Sequence, residues 1–432
     1  MTILKIKNTT LADSLMKKRG FRKIFIDSNL EDDVKEIIKT VETQGDSALI
    51  EFTKKFDNVN LNAGNIKISD KEILNAYKKV HKKDVNALKQ LKKRIEKIEQ
   101  HKLKHMKYTI KESGLTISHT IRPIESVGCY IPGGEAVYPS TVLMTVTPAK
   151  VAGIPRIVVC SPPTDQGEID PLILVATSIC GVDEVYRVGG AQAIAALAYG
   201  TESIRPVVKI VGPGNRFVTS AKIIVSKDVA IDIPAGPSEI VILADETANS
   251  KFIALDLISQ SEHASDNTSG LVTTSRELAT KVIQEIETRV PRLERGEIVT
   301  KALSKNGFIF IYDNMDKAIS FVNSFAPEHL EIITHKPLEI TKKITSAGII
   351  FIGNYTPVTA GDYCIGTNHV IPTSGFAQTY SELSIFDYVK RINVVNCSKE
   401  RLFKMKNLAE TLAMREKLPN HSAAIEGRFR DV

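Results

Sequence analysis

The sequence predicts an α/β protein with two Rossmann-like domains, each a parallel β-sheet covered by helices, flanked by a helical N-terminal arm and a C-terminal segment. Apolar strands alternate regularly with helical segments from Val127 to Ile233, and again from Ile240 to Ile352. Strands such as Ile157-Val-Val-Cys160 are apolar without interruption, which is typical of parallel strands buried on both faces. Glycine-rich loops join several strands to the helices that follow them, as in the βα units of open parallel sheets.

Length and composition exclude several classes of protein. A chain of 432 residues, of which 43% are hydrophobic and 25% charged, is long enough for two globular domains with separate cores. The 57 Lys and Arg residues exceed the 50 Asp and Glu residues by only 7, so the charge balance does not call for nucleic acid as a partner. No apolar run approaches the roughly 18 residues of a membrane span, and the N-terminus does not resemble a signal peptide. We therefore expect no membrane partner.

The segments before the first strand of the alternation predict helices and a hairpin. Residues Leu30–Phe56 predict a pair of helices, Asp70–Lys107 one long amphipathic helix, and Tyr108–Ile124 a β-hairpin that turns at Gly114. One face of the long helix is rich in lysine, which is compatible with a nucleic-acid patch or with a solvated surface. The solvated surface is favoured because no aromatic residues interleave with the lysines.

Three glycine-rich loops follow strands and precede helices in the first block of the alternation: Ile131-Pro-Gly-Gly134, Val188-Gly-Gly-Ala-Gln192 and Val211-Gly-Pro-Gly-Asn215. Glycines at such positions let backbone N–H groups and helix N-termini approach a phosphate group. Together the loops predict a dinucleotide site, with Tyr130, Gln192 and Asn215 as the side chains that orient the ligand. The alternative is that they are ordinary tight βα turns.

A second candidate site centres on the segment Asp256–His263. Gln260 and His263 are three residues apart, so both would lie on one face near the C-terminal end of a helix. An amide oxygen and an imidazole nitrogen one turn apart can share a cation, although such a pair is also common as a hydrogen-bonded surface feature. Further acidic and imidazole groups occur in the segments Ala326-Pro-Glu-His329 and Gly361–His369.

Eight short segments follow one another along the chain: Gly128-x-Tyr-Ile-Pro-Gly-Gly134, Val211-Gly-Pro-Gly-Asn215, Pro234-Ala-Gly-Pro-Ser-Glu239, Ser259-Gln-x-Glu-His263, Ala326-Pro-Glu-His-Leu330, Gly361-Asp-Tyr, Gly366-Thr-Asn-His369 and Glu416-x4-His421. Taken together, these segments resemble the histidinol dehydrogenase family, from about residue 25 to the C-terminus. Each is short, but their combination in this order is specific.

The resemblance implies an NAD-linked, zinc-dependent oxidation of L-histidinol to L-histidine through L-histidinaldehyde, by a homodimer with shared active sites. It implies His329 as the general base and Glu328 as a second acid or base. The implied zinc ligands are Gln260, His263, Asp362 and, from the partner subunit, His421. The implied substrate contacts are these four residues with Ser238, His329, His369 and Glu416. The implied NAD contacts are Tyr130, Gln192 and Asn215.

The resemblance also gives functions to the predicted parts of the chain. Residues 1–24 form the N-terminal arm, and residues 25–125 with 239–380 form the domain that carries the metal and substrate site. Residues 126–238 form the NAD-binding domain, and residues 381–432 a C-terminal segment exchanged with the partner. Two other functions stay open at this point: a metal-dependent hydrolase that uses the same ligands, and a non-catalytic basic RNA-binding or scaffold protein.

The cysteines predict a compartment and offer one further alternative. The five cysteines are odd in number and form no C-x-x-C pair, which favours a reduced, cytoplasmic protein. Cys129 precedes Tyr130 and Cys364 follows Asp362 by two residues, so either thiolate could attack an aldehyde. The favoured interpretation is that both are ordinary small residues, since free cysteine commonly packs as a hydrophobe.

Overall fold

A computed structural model gives the fold and describes residues 3–12, 28–133, 136–233 and 236–429. Most of the predicted arm over residues 1–24, as well as Gly134, Pro234 and Ala235 of the quoted motifs, lies outside the described residues. The chain divides into two compact units, one formed by Met1–Glu99 with Ile124–Tyr388 and the other by Gln100–Pro123 with Val389–Val432.

The helices in chain order are α1 (Ser28–Gln44), α2 (Asp46–Asp57), α3 (Asp70–Lys79), α4 (Lys82–His105), α5 (Pro139–Ala152), α6 (Pro171–Cys180), α7 (Gly190–Tyr199), α8 (Arg216–Val225), α9 (Ser250–Ser261), α10 (Arg276–Arg289), α11 (Gly296–Asn306), α12 (Met315–Phe325), α13 (Pro337–Thr341), α14 (Lys399–Arg415) and α15 (Pro419–Glu426). Single helical turns occur at Val358–Ala360, Gly361–Ile365, Phe376–Gln378 and Ile385–Asp387. Many of these helices begin at a side-chain cap, such as Asn215 before α8 and Asn249 before α9.

The strands in chain order are β1 (Tyr108–Glu112), β2 (Leu115–Pro123), β3 (Ser126–Tyr130), β4 (Arg156–Cys160), β5 (Glu184–Tyr186), β6 (Lys209–Val211), β7 (Ala230–Ile231), β8 (Glu239–Ala244), β9 (Thr268–Thr273), β10 (Phe308–Ile311), β11 (His329–Ile333), β12 (Ile349–Ile352) and β13 (Val389–Cys397).

Two five-stranded sheets form the framework of the larger unit. The first sheet has the order β5-β4-β3-β6-β7 and the second the order β10-β9-β8-β11-β12, and the pairs in both are parallel. Strands β3, β8 and β11 are buried along their whole length, as is typical of central strands in a parallel sheet that is covered on both faces. The predicted fold of two parallel-sheet α/β domains is confirmed.

The N-terminal helices pack on the first sheet. Leu30 and Val34 of α1 share one apolar cluster with Tyr130 and Ile194. Leu88, Leu91 and Ile95 of α4 share a second cluster with Val127 and Ile157 of the same sheet. The packing therefore groups residues 28–99 with the 126–231 sheet, whereas the sequence analysis grouped residues 25–125 with 239–380. An apolar helix stripe shows that a helix packs on a core, but not on which of two similar sheets it packs.

The segment predicted as one long helix over Asp70–Lys107 forms two helices. Val80, between α3 and α4, is extended (φ −104°, ψ 135°), and the carbonyl oxygen of His81 accepts bonds from the N–H groups of Asp84 and Val85 to begin α4. Basic residues end α3 and an acidic residue lies in the first turn of α4, as the helix dipole favours at the end and the start of separate helices. Two single turns, at Phe376–Gln378 and Ile385–Asp387, precede β13.

The smaller unit is an antiparallel sheet with two helices. Strand β2 lies between β1 and β13, and the predicted hairpin turn has Gly114 at φ 75°, a conformation that glycine adopts without strain. Helices α14 and α15 follow β13 and contact each other. Across both units, none of the described helices is long and apolar enough to cross a membrane.

Candidate active site

A cavity of about 470 Å³ in the larger unit lies where the two sheets present opposite ends. The first sheet contributes residues that end or follow its strands, such as Tyr130 of β3 and Asn215 after β6. The second sheet contributes residues that precede or begin its strands, such as Ser238 before β8, Asn267 before β9 and Glu328 before β11. The cavity thus lies at the carboxyl ends of one sheet and the amino ends of the other.

Nine of the predicted site residues line this one cavity, although they come from distant parts of the sequence. They are Tyr130, Asn215, Ser238, Gln260, His263, Glu328, His329, Asp362 and His369.

Three predicted residues do not line the cavity. Gln192 is buried on α7, and its Oε1 atom has no hydrogen-bond partner among the described residues. Glu416 and His421 belong to the smaller unit, where both are exposed. Their predicted roles in a partner's site therefore remain predictions.

His329 begins β11 and is only 4% exposed. Its Nδ1 atom lies 3.0 Å from the carbonyl oxygen of Glu239, and since a carbonyl only accepts, Nδ1 carries the proton. Nε2 is buried without a hydrogen-bond partner among the described residues. Burial lowers the pKa of His329 to about 4, against a smaller effect from the Glu239 bond. The ring is therefore neutral near pH 7, with an available lone pair on Nε2.

Glu328 precedes His329 and is 5% exposed. One of its carboxyl oxygens, Oε2, accepts a 2.7 Å bond from the backbone N–H of Glu239 and lies 3.5 Å from Nδ1 of His329. Burial raises the pKa of Glu328 well above its ordinary value, and the charges of Glu239 and Asp362 raise it further. A buried carboxyl group with a raised pKa is typical of residues that transfer protons in active sites.

Asp362 and His369 come from the loop after β12. Asp362 lies in the single turn Gly361–Ile365, and burial raises its pKa to about 7. Nδ1 of His369 lies 4.0 Å from Oδ1 of Asp362, and its Nε2 lies 3.2 Å from the hydroxyl of Thr141. Burial lowers the pKa of His369 to about 4, with smaller effects from the nearby imidazoles of His329 and His263. His329 and His263 are thus close enough to His369 to oppose its protonation.

Gln260 and His263 lie at the end of α9, but not on one helical face. The helix ends at Ser261, so Gln260 is in its last turn and His263 is in the turn beyond it. The carbonyl oxygen of Gln260 accepts a 2.7 Å bond from the side-chain amide of Asn267. Burial lowers the pKa of His263, against the charge of Glu262. Both side chains nevertheless reach the same cavity.

Three side chains in this cavity are of the types that bind zinc. Gln260, His263 and Asp362 offer an amide oxygen, an imidazole and a carboxylate, which are groups that bind zinc. Among the described residues, no group of three or more His, Cys, Asp or Glu side chains is close enough to hold a metal ion.

Tyr130 and Asn215 shape the opposite wall of the cavity. The hydroxyl of Tyr130 accepts a 3.1 Å bond from the N–H of Gly190, which begins α7. The side-chain oxygen of Asn215 accepts bonds of 3.0 and 3.1 Å from the N–H groups of Phe217 and Val218, and so caps α8. Both residues therefore fix the glycine loops at the starts of helices.

Other residues of the cavity were not identified from the sequence. They include Tyr138, Thr141, Asn267, Tyr363 and Thr373. Thr141 lies in the first turn of α5, the helix that follows the first glycine loop, so its position in the sequence could have suggested a place near the ligand. The remaining four lie in loops or turns whose course the sequence pattern did not reveal.

The cysteines do not support a thiolate mechanism. Cys129 is fully buried, and burial raises the pKa of its thiol to about 12. Cys364 is exposed, and its thiol donates to the carbonyl oxygen of Ala360 at 3.3 Å. Neither cysteine lines the cavity.

Comparison with known proteins gives one consistent result. A family model described as histidinol dehydrogenase matches residues 22–429. A histidinol dehydrogenase of Clostridium acetobutylicum is 48% identical over 397 residues, 92% of each chain. One of Methanothermobacter thermautotrophicus is 46% identical over 398 residues, which cover 92% of this chain and 93% of that one. The crystal structure of histidinol dehydrogenase from Elizabethkingia anophelis matches with a TM-score of 0.93 and 36% identity, covering 99% of this chain and 98% of the other.

Proposed function

Because the chain belongs to the histidinol dehydrogenase family, we propose that it oxidises L-histidinol to L-histidine with two molecules of NAD, through L-histidinaldehyde. The observation that carries this proposal is the cavity in which a neutral buried imidazole, a buried carboxyl group of raised pKa and the donors for a cation lie together. The family assignment does not support the hydrolase or the RNA-binding alternative.

His329 has the properties of a base for the alcohol proton. Its Nδ1 atom is held by the carbonyl of Glu239, which directs the lone pair of Nε2 away from that bond. Since Nε2 has no partner among the described residues, a substrate hydroxyl placed against it would satisfy a buried polar atom. Removal of that proton has to accompany departure of the hydride, which NAD accepts when it is bound.

Glu328 is suited to the second oxidation. That step requires addition of water to the aldehyde, and a carboxylate next to the reacting carbon can take the proton of the water. The bond from the Glu239 N–H fixes one oxygen of Glu328, and the raised pKa makes the group a stronger base than an ordinary carboxylate. His329 and Glu328 therefore have separate tasks although they are adjacent.

Gln260, His263 and Asp362 would hold the zinc ion, with His421 of the partner subunit as the fourth ligand. The bound ion would supply Lewis-acid anchoring of an amino alcohol that carries an imidazole. The side of the cavity that carries these residues favours positive charge, because α9 ends there with its C-terminal carbonyl groups. Ser238, His369 and Glu416 would complete the substrate site.

Tyr130, Gln192 and Asn215 would hold NAD on the side of the first sheet. Helices α5 and α8 both begin at this side of the cavity, as Thr141 and Asn215 show. Helix N-termini favour anionic groups such as a pyrophosphate. Gln192 would have to turn its unpartnered amide oxygen towards the ligand, because it does not line the cavity in the present conformation.

The exposed apolar residues of the smaller unit support a homodimer. Val395, Phe403, Leu408 and Leu412 are 54–65% exposed on β13 and α14. Apolar surface of this extent is common where a second chain covers it. A partner in this position would account for the predicted exchange of the segment that carries Glu416 and His421. The cytoplasmic location expected from the cysteines is part of the same proposal.

The proposal is tested with the purified protein, L-histidinol and NAD, before and after treatment with a chelator. We expect two NADH per histidinol consumed, loss of activity after removal of metal, and recovery on addition of zinc. Absence of NADH formation by zinc-loaded, folded protein would show the proposed function to be wrong.

A further inference from the structure

The structure contains a buried ion pair directly behind the cofactor side of the cavity. Lys222 of α8 and Asp232, which follows β7, have side chains only 3% and 1% exposed, and Nζ of Lys222 bonds to Oδ1 of Asp232. Neither residue lines the cavity. Removing two charges from water costs several kcal/mol, and apolar substitutes for such a pair are often equally stable. The pair therefore needs an explanation other than stability.

Both members of the pair hold the backbone of Gly212. Nζ of Lys222 donates to the carbonyl oxygen of Gly212 at 2.8 Å, and Oδ2 of Asp232 accepts from the N–H of Gly212 at 2.7 Å. Gly212 has φ 115°, and a Cβ atom there would lie 2.1 Å from the carbonyl oxygen of Tyr130. One residue is thus fixed through its donor, its acceptor and its close contact with β3.

Gly212 begins the loop that reaches the cavity. Pro213, Gly214 and Asn215 follow it and line the cavity, and Asn215 caps α8. Lys222 lies two turns further along the same helix, so the ion pair ties the loop to the helix it precedes. Nζ of Lys222 also lies 3.5 Å from the carbonyl oxygen of Ile233, which places all three of its protons on partners around this loop.

We infer that Lys222 and Asp232 are positioning residues for the cofactor, since they fix the Gly212–Asn215 loop in the conformation that receives the dinucleotide phosphates. The inference rests on the proposed NAD-dependent function. Backbone groups bind a phosphate well only when the loop is already ordered, because ordering it during binding subtracts from the affinity. Neither residue would touch substrate or take part in proton transfer.

The test uses two double variants of the full-length enzyme. Lys222→Met/Asp232→Val removes both contacts to Gly212 without leaving an unpaired buried charge. Lys222→Met/Asp232→Asn is closer in shape and retains an acceptor for the Gly212 N–H. The matched control is Arg156→Met/Glu184→Gln, which removes a largely buried ion pair at the first residues of β4 and β5, the opposite ends of these strands.

We expect Lys222→Met/Asp232→Val to raise the KM and the Kd for NAD by about tenfold or more, the range seen when supporting residues of a site are removed. The kcat at saturating NAD and the KM for histidinol should stay within about threefold of the wild type, because only cofactor binding is affected. The Kd for NAD of Lys222→Met/Asp232→Asn should lie between those of the wild type and Lys222→Met/Asp232→Val. The control should leave the affinity for NAD unchanged even if its melting temperature shifts.

Unchanged NAD affinity in either folded variant would overturn the inference, as would an equal loss in the Arg156/Glu184 control. The proposed function fails separately, if the wild-type enzyme forms no NADH from histidinol. The Kd for NAD, measured by calorimetry without substrate, distinguishes the two failures because it does not depend on turnover.

Discussion

The two sheets of the larger unit meet the same cavity with opposite ends and with opposite kinds of side chain. The first sheet presents strand carboxyl ends and helix N-termini, and several polar groups on its side are paired: Tyr130 with Gly190, Asn215 with α8, and Lys222 with Asp232. The second sheet presents strand amino ends and the C-terminal end of α9, with buried titratable groups such as His329 and Asp362.

This difference matches the two tasks of a dehydrogenase. Helix N-termini and ordered loops suit an anionic cofactor, whereas a helix C-terminus suits a cation. Buried groups with shifted pKa values are typical of the residues that transfer protons in active sites. We therefore expect substitutions on the second side to reduce catalysis, and those on the first side to reduce cofactor binding.

The largest effect is expected for His329→Asn. Asparagine can still donate to the Glu239 carbonyl but provides no base in the place of Nε2, so kcat should fall by about 10³-fold, within the range for general-base catalysis. Steady-state kinetics with histidinol as substrate measure the loss. His335→Asn, at an exposed position of the same unit, is the control, and a similar loss there would remove the special role of His329.

Glu328→Gln should separate the two oxidations. The amide can still accept the bond from the Glu239 N–H, but it cannot take a proton from water, so the aldehyde step should slow by about 100-fold. NADH formed per histidinol in a single turnover should then approach one instead of two. Glu331→Gln, a buried carboxyl two residues further along β11 that does not line the cavity, should leave this ratio at two.

Asp362→Asn should weaken zinc binding. Zinc affinity should fall by about 10- to 100-fold or more. A loss of that size is already seen when a residue that only orients a metal ligand is removed. Because burial raises the pKa of Asp362 to about 7, zinc has to displace a proton at and below that pH, and wild-type affinity should fall as the pH decreases. Zinc competition with a chromophoric chelator measures both effects. Cys364→Ser, two residues away and exposed, should change neither zinc content nor turnover.

Asp57 lies on the side of the first sheet but, unlike the paired groups there, is a buried titratable group with a shifted pKa. Its Oδ2 atom is buried without a partner among the described residues, and burial raises its pKa to about 6. Because the pKa of Asp57 is higher in the folded than in the unfolded protein, its protonated form favours folding. This stabilisation is complete below the unfolded-state pKa near 3.8 and is lost as the pH rises through about 6.

Asp57→Asn should therefore stabilise the protein by about 1 kcal/mol at pH 8, and by much less at pH 4. Urea unfolding at the two pH values checks this, with Glu51→Gln at an exposed position of α2 as the control. The same gain at both pH values would show that the charge of Asp57 is not the cause.

The sheets were predictable from the sequence because strands buried on both faces leave continuous apolar runs, as in β4 and β8. The start of α4 was missed because the apolar stripe continues across Val80, although the change from Lys79 to Asp84 marks a helix boundary. The grouping of α1 and α2 with the first sheet was missed because both sheets offer similar apolar surfaces.

The site was predictable as a set of residues but not as a geometry. Motif resemblance predicted His329 and Asp362 as site residues, and both line the cavity. Nothing in the sequence shows that one sheet meets the cavity with the amino ends of its strands. Lys222 had a usable signal, since it lies on the same helical face as Val218 and Val225, where a charge is unexpected. Its partner Asp232 could be identified only from the fold.

The central claim is that catalysis belongs to the side of the second sheet and cofactor binding to the side of the first. Calorimetric titration of NAD into the His329→Asn variant tests it most directly, because this variant should lack turnover. The account predicts a Kd for NAD within about threefold of the wild type, since the role proposed for His329 is in the chemical step and not in cofactor binding. A Kd raised by tenfold or more in the folded variant would contradict the division between the two sides.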